Sequence, residues 1–283
     1  MVRQMLRLTA AGGALILLIL LSPLQGMAAA HTQSFNPALP TVSVFATGLN
    51  NPRGLKFGPD GKLYVAEGGL GGTSSTVGIC TQVVPPVGPY TGGFTARISR
   101  INSQGVRTTV VDHLPSSQTS PALGSLISGV ADVAFVGNKL YALLAGAGCS
   151  HGIANKPNAL LRIDTGEHDV HYIANLSQFL MTHPVKNPEP ADFEPDGTWY
   201  SMAAVGKSLY AVEPNHGELD KITPLGGQDD LDDSTISRVV DISAIFGHIV
   251  PTAVTFNDGN FYVGNLDTFP IMNDSIVMKI TPG

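Results

Sequence analysis

Apolar and polar positions along the chain fall into short runs that alternate or stay wholly apolar, punctuated by glycine turns. No stretch sustains a helical period over several turns. One segment recurs four times: residues 62–66 (KLYVA), 139–143 (KLYAL), 208–212 (SLYAV) and 260–264 (NFYVG). Each follows a turn, at Pro59-Asp60-Gly61, Gly137-Asn138, Gly206-Lys207 and Asp258-Gly259, and before each turn lies another apolar run. Two apolar runs joined by such a turn predict a β-hairpin. A third element ends in a basic residue and isoleucine, at Arg100-Ile101, Arg162-Ile163, Lys221-Ile222 and Lys279-Ile280. A fourth, β-branched element follows in three of the units, at residues 107–111, 169–173 and 236–240. Four strands per unit, repeated along the chain, predict an all-β fold: a β-propeller of four-stranded antiparallel blades, with four blades recognisable. The blades are expected at about residues 50–114, 129–176, 199–241 and 250–283, with single helical turns near residues 177–182 and 243–246.

The fourth unit has no fourth strand of its own. Residues 41–45 (TVSVF), within an N-terminal segment 41–49, read as a strand of the outer type. Pairing with the 276–280 strand would close a ring and remove two open edges.

Composition agrees with many tight loops around a large core: 32 glycines, 20 prolines, 43% hydrophobic and 13% charged residues. Arg3 and Arg7 precede an apolar run over residues 10–21, then Pro23 and Ala28-Ala29-Ala30, the pattern of a cleaved secretory signal. The run is too short for a membrane span, and no later stretch could serve as one. Residues 31–40 are read as a linker, and 41–283 as the propeller domain. The formal charge of −6, with no basic run, excludes phosphate-backbone recognition and hence nucleic acid as a partner.

Blade connections on one face carry the candidate chemistry. The second-to-third strand connections of the first two blades, about residues 69–95 and 146–158, exceed ordinary hairpin loops and hold Cys80 and Cys149. In an exported protein these two thiols on one face are expected to form a disulfide; two buried free thiols are the alternative. Glu67, Glu213 and Asn265 end the second strands of blades one, three and four. Arg53, Asp132 and Thr252 lie near first-strand starts, facing the channel, and His151 and His216 lie in the loops. Carboxylate and amide oxygens on one face suit Ca²⁺, and two histidines suit acid–base chemistry. A polar channel lining that merely holds water is the competing reading. There is no G-x-S-x-G elbow, Walker loop or H-E-x-x-H, and the glycines of 68–72 precede no helix.

Several of these stretches together resemble the ScyD/ScyE family of secreted proteins, NHL-like propellers named from scytonemin gene clusters. The likeness rests on Gly48–Leu55 (GLNNPRGL), Gly58-Pro59-Asp60-Gly61, residues 63–67 and 84–90, 128–134, 145–149, 213–219 (EPNHGEL) and 263–270 (VGNLDTFP). It implies export and a six-bladed parent, of which this chain is expected to be a C-terminally truncated member with open edges. It implies no catalytic residue. The functional expectation is an extracytoplasmic binding or scaffold propeller for a small molecule or an extracytoplasmic protein. The alternative is a propeller enzyme, a metal-dependent lactonase-like hydrolase or a quinone-dependent sugar dehydrogenase.

Overall fold

The computed structural model describes residues 41–226, 231, 233–268 and 273–282. The expected signal and linker, residues 1–40, lie outside the described residues. Residues up to Ser43 belong to a separate N-terminal unit, and Val44 onward form the unit described below.

Four antiparallel sheets follow one another as the blades of a four-bladed propeller. The first comprises β1 (Pro52–Phe57), β2 (Leu63–Glu67), β3 (Thr91–Ile101), β4 (Arg107–Gln118) and a short β5 (Ile127–Ser128). The second holds β6 (Val130–Val136), β7 (Lys139–Leu144), β8 (Ala159–Ile163) and β9 (Val170–Asn175), followed by helix α1 (Leu176–Thr182). The third holds β10 (Ser201–Val205), β11 (Ser208–Glu213), β12 (Glu218–Pro224) and β13 (Ser234–Asp241), followed by the single turn α2 (Ser243–Phe246). The fourth holds β14 (Pro251–Asn257), β15 (Asn260–Asn265) and β16 (Val277–Ile280).

The apolar runs of the second strands become intelligible here. Side chains alternate between the faces of a strand, and a strand sandwiched between blades needs both faces apolar. On β7, Leu140, Ala142 and Leu144 pack with Ala66, Ile98 and Val110 of the first sheet. Tyr141 and Leu143 pack on the other side with Leu209 and Ala211 of the third. Val212 and Leu219 then meet Phe261 and Val263 of the fourth. These interblade layers, not the hairpins alone, hold the strands; a single hairpin has too little apolar cover to persist in water.

The outer-strand reading of residues 41–45 is corrected. No strand forms there, and the fourth sheet ends at β16 with the order β14-β15-β16. The following stretch is held by the first blade instead. Asn50 N–H donates to Glu67 Oε2 at 2.5 Å, Arg97 donates to the Gly48 carbonyl at 2.5 Å, and the Asn51 carbonyl accepts from Gly68 N–H at 2.9 Å. Phe45 passes the β3–β4 turn so closely that a Cβ on Gly105 would lie 2.0 Å from its carbonyl oxygen. With its backbone engaged by loops and side chains, the segment has no ladder to join. The first blade's fourth strand is also longer than expected, because its end pairs with β5 and forms part of the loop face.

Candidate functional site

The second-strand ends do the same job in three blades. Glu67 accepts Asn50 N–H, Glu213 Oε1 accepts Thr198 N–H at 2.7 Å, and Asn265 Oδ1 accepts Val250 N–H at 2.7 Å. Each side chain latches the connection that enters its own first strand. Glu67 is further occupied by Arg97, at 2.8 and 2.9 Å, and by the Ser99 hydroxyl. Glu213 also accepts His216 N–H at 2.6 Å; burial raises its pKa, against the pull of the neighbouring His216. The second blade has Leu144 at this position, and there Asn158 Oδ1 takes Ala147 N–H at 2.8 Å instead. The three oxygen-bearing side chains therefore face their own blades' amides. Among the described residues, no group of three or more His, Cys, Asp or Glu side chains is placed to hold a metal ion. Glu67, Glu213 and Asn265, each engaged in its own blade, do not together supply a Ca²⁺ shell, which takes six to eight oxygens.

The channel-side candidates act between blades. Asp132 accepts from Val133 N–H and from Met202 N–H, both at 2.8 Å, and so ties β6 to β10; burial raises its pKa. Arg53 donates to the Ile127 carbonyl at 2.5 Å, and its guanidinium lies 5.1 Å from the centre of the Tyr200 ring. Thr252 sits where the β14–β15 register slips.

His151 and His216 do come together, through a residue that sequence reasoning passed over. Cys80 and Cys149 form a disulfide, which fixes the first blade's long loop to the second's. Beside it, Asp196 Oδ2 accepts Ser150 N–H at 2.8 Å and the Ser150 hydroxyl at 2.7 Å. That approach needs Gly148: its φ is +105°, and a Cβ there would lie 2.2 Å from Asp196 Cγ. Asn158 Nδ2 donates to the Asp196 and Gly197 carbonyls at 3.1 and 2.7 Å. The acidic, proline-rich connection before Trp199 is thus sewn onto the second blade's loop, and Glu194 is carried into the middle. Tyr90 O–H donates to Glu194 Oε1 at 2.8 Å, and Thr198 O–H donates to its other oxygen. The His151 ring stacks on Tyr90 at 4.5 Å, with Nε2 3.2 Å from Glu194 Oε2, off the hydrogen-bonding line. His216 Nε2 lies 3.0 Å from the Glu194 carbonyl oxygen.

A Ser–His–carboxylate order exists in this knot, since Ser117 Oγ lies 2.9 Å from His151 Nδ1. Nucleophilic catalysis requires a hydroxyl that substrate can reach. Ser117 and His151 are 0% exposed, and both Glu194 oxygens already accept hydroxyl protons. In this conformation the chain of groups is a polar core that welds three loops together. The sequence signal that would have found it is the run of Asp192, Glu194 and Asp196 among prolines, in a connection too long for a simple turn.

Next to the knot opens a cavity of about 380 Å³. Its walls are Leu180 and Met181 of α1, Val185, Phe193 and three prolines, with Thr81 at one side and His216 from the β11–β12 turn. Deeper in the third blade, Glu218 and Asp220 share a face of β12, both buried. Arg238 is ion-paired with Glu218, and Asp220 receives no donor among the described residues.

No family model and no curated protein matches the chain. Among solved structures it is similar to a luciferin-regenerating enzyme, at 12% identity and a TM-score of 0.44, covering 82% of this chain and 62% of that one. It is also similar to the PQQ-bound aldose sugar dehydrogenase of Streptomyces coelicolor, at 13% identity and a TM-score of 0.30, covering 86% of this chain and 97% of that one. A third is the periplasmic gluconolactonase PpgL of Pseudomonas aeruginosa, at 13% identity and a TM-score of 0.28, covering 83% of this chain and 73% of that one. The chain thus spans less than two thirds of the luciferin-regenerating enzyme's length. At these identities the likeness concerns the fold, and those proteins' chemistry stays with them. Among the described residues no helix is long and apolar enough to cross a membrane.

Proposed function

We propose that this chain is an extracytoplasmic propeller of ScyD/ScyE type that binds a ligand on its loop face without turning it over. One observation carries the reading: connections from three blades are fastened to one another by a disulfide and a buried polar knot, with a cavity beside them. Fixing long loops in one arrangement removes the ordering cost that a ligand would otherwise meet on binding. The disulfide itself suits an oxidising compartment and supports export. The enzyme reading, a metal-dependent lactonase-like hydrolase or a quinone-dependent sugar dehydrogenase, asks for oxygen ligands and a base that converge. Glu67, Glu213 and Asn265 are instead engaged within their own blades.

The test is a small-molecule thermal-shift screen and a pull-down on the purified exported protein, alongside elemental analysis and an absorbance scan. A saturable binder, recovered chemically unchanged, is the expected outcome. Stoichiometric metal or quinone, or turnover that disappears in Glu213→Gln, would overturn the reading.

A further inference from the structure

The blades repeat, so residues at one repeat position can be compared across them. On the face that each blade turns to the next, the third strand carries Ile98, Leu160 and Leu219, opposite Ala66, Leu143 and Val212. All three are 0% exposed and pack in the core shared with the following blade. The fourth blade has Val277 at this position, opposite Gly264, and it is 75% exposed. Tyr262 on the same face repeats Tyr64, whose ring meets Phe135 of the second blade edge-on at 5.1 Å.

The faces turned to the preceding blade show the counterpart. Val133, Met202 and Val254, opposite Ala142, Ala211 and Val263, pack in the cores shared with the blade before them. Leu55 holds that position in the first blade, opposite Val65, and is 54% exposed. Phe57 lies opposite Leu63 as Phe135 lies opposite Leu140, and it is 69% exposed. The two end blades thus carry the two halves of one blade junction, and within a chain both stay in water. Contiguous exposed apolar side chains of this kind mark contact surfaces.

The first blade's face also shows which blade fits it. Glu67 and Arg97 project from it and hold Asn50 and Gly48, and Phe45 runs past the β3–β4 turn at Gly105. Residues 44–50 therefore lead into β1 along the side where β9 and β13 lead towards β10 and β14, the place of a preceding blade's outer strand. A four-stranded blade would collide with this strap. The fourth blade, with the order β14-β15-β16, lacks the outer strand and leaves the strap its room.

We propose that copies of this chain associate head to tail, the fourth blade of one packing on the first blade of the next as consecutive blades pack within the chain. Val277 and Tyr262 of one copy then cover Leu55 and Phe57 of its neighbour. The contact is heterologous, so each copy keeps one free half and the contact can repeat.

Sedimentation velocity over a concentration series of the purified, disulfide-intact protein should show species larger than one chain, growing with concentration. Val277→Glu and Phe57→Glu each place a carboxylate in the junction, where burial without a partner is unfavourable. Both positions are exposed in the single chain, so Trp199 fluorescence and the urea midpoint should match wild type. Each variant alone should sediment as a single chain. An equal mixture should form dimers and nothing larger, because one variant keeps the fourth-blade face and the other the first-blade face. Met181→Glu, at an exposed apolar position on α1, should associate like wild type. Wild type that stays a single chain at every concentration, association that survives either junction charge, a mixture that remains single chains, or loss of association in Met181→Glu would each overturn the proposal.

Discussion

Raising the pH from about 5 to about 8 is expected to weaken this fold, and the third blade gives the reason. In the ladder, Glu213 lies opposite Glu218, and Asp220 lies between Ala211 and Arg238, so three carboxyls share one face. That face packs towards the second blade, where Leu209, Ala211 and Ile222 join Leu143, Leu160 and Leu180 in one core. Arg238 is ion-paired with Glu218 and also donates to the His183 and Pro184 carbonyls, so its one charge is spread over several acceptors. Burial therefore wins. It pushes Glu218 up to about 7 against the pull of Arg238. It pushes Asp220 well above the usual carboxyl range, with the adjacent Glu218 adding to the effect. A proton on either carboxyl relieves the repulsion between Glu218 and Asp220.

The sign follows from linkage. A carboxyl whose pKa is higher in the folded chain binds its proton more tightly there, so its stabilisation is full below about 4.5 and is lost as the pH rises through about 7. For Glu218 the move from 4.5 to about 7 corresponds to roughly 3 kcal/mol at about 1.4 kcal/mol per tenfold change in proton affinity. Asp220 adds a loss of the same sign at higher pH. The single tryptophan, Trp199, is buried in the same core and reports unfolding by fluorescence. Urea titrations at about pH 5, 6, 7 and 8 should show stability falling by about 3 kcal/mol across the series. Glu218→Gln, which keeps the shape and removes the titrating group, should leave less than half of that slope. All other ionisable groups are common to both proteins, so the difference between wild type and variant is the decisive quantity. Wild-type stability that is flat or rises with pH, or an unchanged slope in Glu218→Gln, would refute the reasoning.

Two further outcomes follow from the loops and the blade junctions. Cys80→Ser with Cys149→Ser opens a link between residues 69 apart and should cost about 2–4 kcal/mol, read as a lower urea midpoint that added reductant no longer changes. An unaltered midpoint would mean that the polar knot alone holds the loops. Gly54→Ala places a Cβ 1.9 Å from Asp132 Oδ1 and 2.7 Å from Asp132 Cα, where β1 meets β6, and should cost about 1–3 kcal/mol. Gly166→Ala, whose nearest contact would be 3.4 Å away, should be close to neutral in the same assay.

The blades were legible in the sequence because their signals are local. A turn between two apolar runs fixes a hairpin within about a dozen residues, and period-two alternation fixes which residues share a face. The same reasoning placed α1 and α2 and put Cys80 and Cys149 on one face. It went astray at residues 41–45, where an alternating pattern suits a strand but only a partner edge makes one; the chain just after them is held at Gly48 and Asn50 by Arg97 and Glu67 instead. Glu67, Glu213 and Asn265 looked like members of one ring because they occupy one repeat position. That equivalence is itself why each latches its own blade, since the same register places the same first-strand entry in front of each. Beyond the acidic run before Trp199, the partners in the polar knot could not be read from the chain: Tyr90 and Glu194 are 104 residues apart, and their meeting depends on how three loops are stacked. Nor could the burial of Glu218 and Asp220, because a Glu-Leu-Asp-Lys strand reads as a solvated edge until the neighbouring blade and α1 cover it. Periodicity determines which side of a strand a residue takes; only the packing of blade on blade determines whether that side meets water.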